Sequence, residues 1–590
     1  MPHEFQRPRT VHAIKTALMC AVLSLQPVTA SAQAPAPSEA ADLILTNGQV
    51  RTPSGWAEAM AIRGGIIVAV GDSLTIEAMR DRETEVVDLG GGTVLPGLHD
   101  SHVHALFAGL EQFQCRLAPG APPQAIAEAV AACVVGTSKG AWIQGGNWVA
   151  AVFEPGQQNR AFLDAVAPDH PVVLNDEAHH SVWVNSMALE LAGITRDTPD
   201  PDGGIIERDA AGEPNGLLRE SAARLVERMI PPATVAARRE ALILSTNQML
   251  SFGITSFTVA SVRTPDIGPL SALSEEGLIK QRVRGCIVWA PQPQDVNRMG
   301  EMLIAARGTY ARPRFSPDCV KLFLDGVPTE SHTGAMLEPY EDAKSDRDDD
   351  RPGKGLLLIP QDILDKAVTR FDRQGLHIKF HAAGDAAVRA AIDAVAAARK
   401  ANGSGGPMHH VGHSTFVSLA DIPRVREVEM AWEFSPYIWY PTPIAAVDIL
   451  AAVGEQRMRR WVPIRDALDS GALVVAGSDW SVVPSVNPWL AIETMVTRQM
   501  PGGSEDTLGI RESVSLDDAF RILTENGARL MGHRDEVGSI EVGMHADVIV
   551  TETNPFEVPI TEVHSTKVRM TFIDGEKVFD AASPPRLTAH

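Results

Sequence analysis

Short apolar runs alternate with amphipathic stretches through the middle of the chain. Helical periodicity is found at 360–375, 385–401 and 516–531, among other places. The runs with the length and β-branched content of buried strands are 93–104, 253–260, 281–289, 319–326, 377–384, 408–414, 430–437 and 472–480. Strands that alternate with helices indicate a parallel α/β sheet, and eight of them suit a closed (β/α)8 TIM-type barrel over residues 93–537.

The two flanks of this region show a different pattern, with short alternating strands and tight turns. Asn47-Gly48 and Gly64-Gly65 interrupt apolar runs within residues 42–92, and Asp574-Gly575 does the same within residues 538–585. Such pairs supply the positive φ angles of β-hairpin turns. We therefore expect the two ends of the mature chain to build one small composite β-sandwich domain.

The interval between the first two predicted strands is much longer than an ordinary barrel crossover. Residues 112–240 are predicted to form an α/β insertion, with Ala-rich helices and strands near 141–148 and 171–175. A second interruption, the polar and charged stretch 341–355, follows the fourth predicted strand. Its composition favours a solvated loop, although a loop at this face of a barrel can also act as a mobile lid.

Residues 1–32 have the three parts of a secretory signal peptide. Basic residues precede the short apolar stretch 17–25, and Ala30-Ser31-Ala32 provides a cleavage pattern. A disordered tail is the alternative. We expect an exported and cleaved product, periplasmic in a host with an outer membrane, in which residues 33–41 form an Ala/Pro-rich linker.

Four cysteines follow the predicted signal peptide, and an oxidising compartment would allow disulfides. Cys115 and Cys133 flank a proline-rich turn and the start of a predicted helix, so their positions suit a bridge. Cys286 and Cys319 lie inside apolar strand-like runs and are predicted to be buried free thiols.

Composition narrows the classes of partner. The chain has 590 residues, enough for a barrel with an accessory domain, and a formal net charge of −22. Nucleic-acid ligands need a basic surface, so this acidity argues against them. No apolar run after the predicted signal peptide reaches the length of a membrane span. A small-molecule substrate is the expected partner.

The strongest chemical signal lies at the end of the first predicted strand, in the sequence PGLHDSHVH at 96–104. Residues two apart on a strand share a face, so His102 and His104 point the same way and can chelate one ion. Imidazole suits zinc and similar divalent metals. For such a pair alone, chance or the packing of core histidines is as good an explanation as metal binding. His99 has the opposite parity and is not expected to be a ligand.

Three further residues at predicted strand ends strengthen this signal. His381 ends the fifth strand, His413 the sixth and Asp479 the eighth. The carboxyl ends of barrel strands form the face where active sites lie. His409 also belongs to the sixth strand, but it lies deeper, so His413 is preferred. A single His or Asp at a strand end is usually a packing or capping residue, whereas several in register on different strands indicate an active site.

Lys321 interrupts the apolar fourth strand, where a charged and unpaired ammonium would be costly. One interpretation is an ion pair with a carboxylate inside the barrel. The interpretation that we favour is a lysine carboxylated by CO2, because nearby histidines can supply further ligands. The carboxylated group is an anion with two oxygens that can bridge two metal ions.

In their order along the chain, these residues resemble the metal-dependent amidohydrolase superfamily, and most closely the N-substituted formamide deformylase-like branch of amidohydrolase family 3. The matching set is His102, His104, Lys321, His381, His413 and Asp479. The likeness covers residues 42–580 and includes the stretches 180–186, 201–204, 212–216 and 538–547. The stretch 327–333 departs from the pattern of the branch near His332.

The resemblance implies one or two divalent metal ions, with zinc as the default. His102, His104 and Asp479 would hold one ion, His381 and His413 the second, and carboxylated Lys321 would bridge them. A metal-bound hydroxide would attack the carbonyl of an amide, an N-formyl group or a cyclic amide, and Asp479 would pass the proton to the leaving amine. The expected substrate-binding residues are His180, Trp183 and His332, and for each of them packing is the alternative role.

Other functions fit the same scaffold. A lactonase or esterase would use the same metal chemistry on a C–O bond. A one-metal deaminase has no use for a bridging carbamate, so Lys321 argues against it. A non-enzymatic exported binding protein is the remaining alternative, but it would need neither both metal positions nor Asp479.

Overall fold

The computed structural model describes residues 40–118, 120–177, 180–201, 203–291, 294–329, 331–341 and 353–583. The predicted signal peptide, nearly all of the linker and most of the polar stretch 341–355 lie outside these residues. Within them, no helix has both the length and the apolar character that crossing a bilayer requires.

Strands and helices are numbered here in chain order. The strands are β1 (Leu43–Thr46), β2 (Gln49–Thr52), β3 (Gly55–Ala57), β4 (Ala59–Arg63), β5 (Ile66–Gly71), β6 (Glu85–Asp88), β7 (Thr93–Pro96), β8 (Leu98–Val103), β9 (Cys115–Arg116), β10 (Ile143–Trp148), β11 (Val172–Asp176), β12 (Ser181–Val184), β13 (Gly204–Arg208), β14 (Pro214–Glu220), β15 (Ile254–Val262), β16 (Arg282–Val288), β17 (Phe315–Phe323), β18 (His377–Ala382), β19 (His409–His413), β20 (Met430–Phe434), β21 (Leu473–Ala476), β22 (Val548–Thr551), β23 (Val568–Ile573) and β24 (Glu576–Asp580). The α-helices are α1 (Ser73–Glu77), α2 (Ala105–Glu111), α3 (Pro123–Val135), α4 (Arg160–Val166), α5 (Ser186–Ala192), α6 (Arg224–Glu227), α7 (Val235–Ser251), α8 (Thr264–Glu275), α9 (Gln294–Tyr310), α10 (Gln361–Arg373), α11 (Asp385–Asn402), α12 (Arg424–Glu427), α13 (Leu450–Met458), α14 (Ile464–Asp469), α15 (Pro488–Thr497), α16 (Leu516–Leu523) and α17 (Glu525–Leu530).

Eight parallel strands form the central sheet in the order β8-β15-β16-β17-β18-β19-β20-β21. Beyond β21, the Asp479 amide donates to the His102 carbonyl at 2.7 Å, and the His104 amide donates to the Trp480 carbonyl at 2.6 Å. These bonds bring the last strand back to the first, so the sheet is a nearly closed barrel. The predicted parallel barrel is confirmed.

The first predicted strand, 93–104, is two strands in the structure. Pro96 ends β7, which pairs with β2 and β22 in a terminal sheet, and Leu98 begins the barrel strand β8. Gly97 separates them, and a Cβ at this position would lie 2.3 Å from the Thr255 hydroxyl of β15. The close approach of β15 therefore needs a glycine, and a continuous apolar pattern hid the break between the two sheets.

Apolar side chains on the outer faces of the barrel strands pack against the surrounding helices. Leu322, Phe380 and Val411 are fully buried in one cluster with Val368 of α10 and Val388 of α11. Because successive side chains on a strand point to opposite faces, their neighbours on β17, β18 and β19 point into the barrel. These inward positions are occupied largely by polar and charged residues, which build the site described below.

Strands from both ends of the chain form two further sheets, of order β5-β4-β1-β6 and β24-β23-β22-β7-β2-β3. Leu45 and Ile62 of the first sheet and Val94, Val550 and Phe572 of the second are buried in one shared core. The N-terminal and C-terminal segments therefore stabilise one another beside the barrel.

The long interval between β8 and β15 contains a six-stranded mixed sheet of order β13-β14-β12-β11-β10-β9. One face of this sheet carries a core with residues of α3 and α4, and the other face carries a core with residues of α5 and α6. The strands predicted near 141–148 and 171–175 are β10 and β11. The insertion is thus a layer with its own apolar cores.

Two disulfides join the four described cysteines. Cys115 is bonded to Cys133, as their positions suggested. Cys286 is bonded to Cys319, so the prediction of two buried free thiols is wrong. These two residues lie directly opposite each other on β16 and β17, with their Cα atoms 4.1 Å apart. Their pairing follows from the register of the barrel strands, which the sequence around each cysteine does not reveal.

Peptide mapping of the unreduced, alkylated protein should recover two linked peptide pairs, one for each disulfide. Replacing Cys286 and Cys319 together by Ala should lower the free energy of unfolding by about 2–4 kcal/mol, because the cross-link restricts the unfolded chain. Alkylated free thiols at these two positions in the native protein would contradict the structure.

Candidate active site

The polar residues that end the barrel strands meet at one mouth. The Asp479 Oδ1 atom lies 3.3 Å from His102 Nε2 and 3.2 Å from His104 Nε2, and Asp479 Oδ2 lies 3.6 Å from His413 Nδ1. The ring centroids of His381 and His413 are 4.4 Å apart. Five of the six residues predicted to bind metal are therefore linked to one another by a continuous set of contacts.

Lys321, the sixth predicted ligand, lies on β17 directly opposite Lys379 of β18. It is close enough that its charge lowers the pKa values of His102, His381 and His413, although burial is the larger cause for each. Burial first, and then the charge of Lys379, lowers the pKa of Lys321 itself to about 7. The structure therefore brings all six predicted residues to one end of the barrel.

Within the described part of the chain, Lys321 makes no ion pair with a carboxylate, and its ammonium lies 4.9 Å from the centroid of the Phe323 ring. The ion pair inside the barrel belongs instead to Lys379, which is bonded to Glu433 of β20. The ion-pair interpretation of Lys321 therefore fails, because the neighbouring lysine takes the nearby carboxylate.

Lys379 and Glu433 are site residues that the sequence analysis missed. Both are fully buried, and Glu433 accepts a hydrogen bond from His102 Nδ1 at 2.5 Å. Lys379 also donates to the Ser101 carbonyl at 2.9 Å. The available signal was a charged residue inside an apolar strand, with Lys379 two residues before His381 and therefore on the same face.

The donor atoms of His102, His413 and Asp479 lie within 4.8 Å of one another, so these residues can hold a cation. His102 donates from Nδ1 to Glu433, so its Nε2 carries a lone pair. Among the described residues this buried Nε2 has no hydrogen-bond partner, and it faces a carboxylate oxygen of Asp479. Two acceptors at this distance repel each other unless a cation lies between them, so the donor set fits a divalent metal.

Backbone conformation directs two of these side chains into the site. His413 has φ of 69° and Asp479 has φ of 60°, both in the left-handed region that non-glycine residues rarely adopt. Strict strand alternation would place His413 on the outer face with His409, whose Nε2 lies 3.0 Å from Asp372 of α10. The left-handed turn at the end of β19 brings His413 to the mouth instead, at a cost in backbone strain.

Two buried carboxylates join the strand ends to each other. Asp100 accepts from the amides of His102 and Ser478 at 3.0 and 2.9 Å, and so connects β8 to the segment after β21. Asp325, just after β17, accepts from the amides of Ala383 and Gly384 at 3.0 and 2.8 Å. Burial raises the pKa of Asp100 to about 6 and that of Asp325 to about 7.

The insertion contributes His180 to the same mouth. Its ring centroid lies 5.3 Å from that of His381, and its Nδ1 lies 2.9 Å from a carboxylate oxygen of Glu220. Burial alone would lower the pKa of His180, but the charge and hydrogen bond of Glu220 outweigh it and raise the pKa to about 9. Glu220 also accepts from Thr333, next to His332, whose ring stacks on Tyr340.

Trp183 does not share this position. Its ring is fully buried against Phe153 and Phe162, and its indole N–H donates to the Asn159 carbonyl at 3.0 Å. Packing of the insertion therefore accounts for Trp183, and the predicted substrate contact is corrected.

His99 is buried beside Gly527 of α17 on the outside of the barrel, as its parity predicted.

Comparisons with known proteins show which sequences and folds this chain is similar to. A model of the amidohydrolase family matches residues 85–579. Protein LONG AFTER FAR-RED 3 of Arabidopsis thaliana is 28% identical over 552 residues, 91% of this chain and 92% of that protein. N-substituted formamide deformylase of Arthrobacter pascens is 27% identical over 553 residues, 90% of this chain and 97% of that protein. A solved structure, an uncharacterized metal-dependent hydrolase from Pyrococcus horikoshii, has a TM-score of 0.68 at 22% identity, over 88% of this chain and 99% of that chain.

Two histidines of the same strand provide a matched test of the cation site. His413→Gln should weaken zinc binding strongly, because it removes one of three converging donors. His409→Gln should leave zinc binding unchanged and lower the free energy of unfolding by about 1–3 kcal/mol, because Asp372 loses a buried partner. Zinc titration of the chelator-treated protein, with thermal unfolding, measures both effects. Equal zinc affinity in the two variants would contradict this assignment.

Proposed function

This chain belongs to the amidohydrolase family and is a metal-dependent hydrolase, and on that premise we propose that it cleaves the C–N bond of a small amide, N-formyl or cyclic amide substrate. The observation that carries the proposal is Lys321, a buried lysine without a carboxylate partner among the described residues, beside the histidines at the barrel mouth. The Arthrobacter relative, named for the hydrolysis of N-substituted formamides, supports the choice of bond.

The proposed metal ligands fall into two groups. His102, His104 and Asp479 would hold one divalent ion, and His381 and His413 would hold a second, with carboxylated Lys321 between them. The contacts of Asp479 with the first two histidines, and the His381–His413 contact, support this division, and the 3.6 Å from Asp479 to His413 makes the two positions neighbours. The grouping of His102, His413 and Asp479 around one cation corresponds to occupancy by a single metal ion. Bound zinc would supply Lewis acidity, which lowers the pKa of a water molecule and polarises a carbonyl.

Carboxylation of Lys321 needs the neutral amine, since only the free electron pair attacks CO2. Burial and the charge of Lys379 both favour that form. In the reaction a new bond forms between Nζ and the CO2 carbon while one C=O π bond of CO2 opens, its electron pair stays on oxygen, and one proton passes from the nitrogen to water. The product is an anion in place of the neutral amine, which suits a position among the proposed metal ligands.

Asp479 is the proposed proton carrier. Its two carboxylate oxygens lie within 3.2–3.6 Å of three histidine nitrogens, so the side chain is held at the centre of the site. From there it would accept a proton from the attacking water and deliver it to the leaving nitrogen. An amine is a poor leaving group unless it is protonated, so this transfer would be needed for C–N cleavage.

His180 and His332 are the proposed substrate contacts. The proximity of the His180 and His381 rings supports the first, and the bond from the adjacent Thr333 to Glu220, the partner of His180, supports the second. A lactonase or a deaminase on this scaffold remains the alternative, and the substrate screen below separates them.

We further propose that the protein is exported, because a signal-like leader is combined with two disulfides, which suit an oxidising compartment.

A substrate screen tests the proposed reaction. The exported protein, loaded with zinc, should hydrolyse members of a panel of N-formyl amines, N-acyl amines and cyclic amides, and a chelator should abolish turnover. Release of amine, measured by a colorimetric assay, reports C–N cleavage. Turnover confined to lactones and esters, or deamination of aminopurines alone, would contradict the proposed bond.

Lys321→Ala tests the bridging carbamate. The variant should lose at least about 100-fold in kcat and bind fewer zinc ions per chain, because one anionic ligand is missing. Short carboxylates such as propionate should restore part of the activity by filling the space, and 13C-labelled CO2 should give a carbamate signal in the wild type only. Lys280→Ala, on the surface beside Glu576, is the matched control. Full zinc content and turnover in Lys321→Ala would exclude the role.

A further inference from the structure

Glu433 and Lys379 form a buried ion pair directly behind His102. Both side chains are fully excluded from solvent, and they come from β20 and β18, on opposite sides of β19 in the sheet. Among the described residues, their close polar contacts with the proposed ligands are with His102: Glu433 accepts from Nδ1 at 2.5 Å, and Lys379 Nζ lies 3.4 Å from the same nitrogen. Lys379 also lies opposite Lys321 in the sheet, where its charge acts on that lysine. The pair is therefore placed to act on His102 by direct contact.

Glu433 determines which nitrogen of His102 can bind a cation. A carboxylate only accepts hydrogen bonds, so the proton of the imidazole lies on Nδ1. The lone pair is then on Nε2, the atom that faces Asp479. Negative charge behind a metal-binding histidine makes the free nitrogen a stronger donor, as outer carboxylates do in many zinc sites.

Lys379 works against that effect. It is bonded to the same carboxylate and to the carbonyl of Ser101, next to His102 in the chain. Its charge neutralises Glu433 and lies close to the imidazole, so it withdraws electron density from the ligand. A glycine at 412 leaves room for this arrangement, because a Cβ there would lie 2.9 Å from Glu433 Oε1.

We propose that Glu433 and Lys379 are positioning residues that set the strength of the His102–metal bond, Glu433 strengthening it and Lys379 limiting it. A moderate bond leaves the metal more electron-poor and thus a better Lewis acid. The inference rests on the proposed function only for the catalytic role of the metal. The effect on metal affinity follows from the contacts of Glu433 and Lys379 with His102.

The test is a zinc titration of the chelator-treated protein against a chromophoric competitor. Glu433→Gln should weaken zinc binding roughly 10–100-fold, because the carboxylate charge behind His102 is lost. In the Lys321→Ala background, where Lys379 can no longer act through Lys321, Lys379→Met should tighten zinc binding by roughly threefold or more, because Glu433 is no longer neutralised. The absorption bands of the cobalt-loaded protein should shift in opposite directions. General damage to the fold cannot produce opposite changes in affinity.

Matched variants keep the result interpretable. Glu493→Gln removes another buried carboxylate with a histidine partner, His564, which is not one of the proposed ligands, and should leave zinc affinity unchanged. If Lys379→Met does not fold, the double variant Lys379→Met with Glu433→Gln removes both charges and should bind zinc more tightly than Glu433→Gln alone.

Equal affinities in wild type, Glu433→Gln and the double variant would overturn the inference, as would losses that merely follow the fall in melting temperature. Turnover of the wild-type protein reports the proposed function separately. Opposite shifts in zinc affinity without hydrolysis of any amide would support the tuning role and reject the proposed reaction. Amide hydrolysis without these shifts in zinc affinity would support the proposed reaction and reject the tuning role.

Discussion

Pairing of buried charge is the constraint on which this site depends. The interiors of such barrels are usually filled by branched aliphatic side chains, but here Lys321, Lys379 and Glu433 are all buried in the interior beside the histidines of the barrel mouth. Removing one charge from water costs several kcal/mol unless an opposite charge and good hydrogen bonds compensate. Among the described residues, Glu433 forms its ion pair with Lys379, and Lys321 forms none with a carboxylate. The carboxylation proposed for Lys321 depends on this pairing of Glu433 with Lys379.

The same site is held in place by unfavourable backbone conformations that the surrounding fold maintains. His413, Asp479 and Glu220 all adopt left-handed φ angles without being glycines. Each such residue costs on the order of 1–3 kcal/mol and persists only where neighbouring contacts fix it. Asp100 and Asp325 provide such contacts through bonds to backbone amides of adjacent strand ends. The stability of the barrel thus supports the strained positions of the functional groups.

Much of this arrangement could be predicted from the sequence, because strand periodicity and strand ends are local properties. The barrel strands and the convergence of His102, His381 and Asp479 follow from them. The role of Glu433 could not be predicted, because one acidic residue in an apolar run has no spacing that identifies its partner. The Cys286–Cys319 disulfide depends on register between two strands, which is set by the closed barrel and not by either segment.

The choice between His409 and His413 illustrates a different limit. Both lie at odd positions of the same strand, and alternation alone would assign them to one face. The structure separates them because the chain leaves the strand conformation at His413. Depth along the strand, rather than parity, distinguishes the two residues, and it agrees with the position of His413 at the barrel mouth.

The insertion has a consequence for how this protein relates to its kin. His180 is carried by a layer with its own sheet and its own apolar cores, whereas the six proposed ligands belong to the barrel and its strand ends. Evolution can therefore remodel or exchange the layer while the barrel chemistry is inherited unchanged. Homologues that share the ligands but differ in this layer would diverge in the molecules they accept before they diverge in the bond they break.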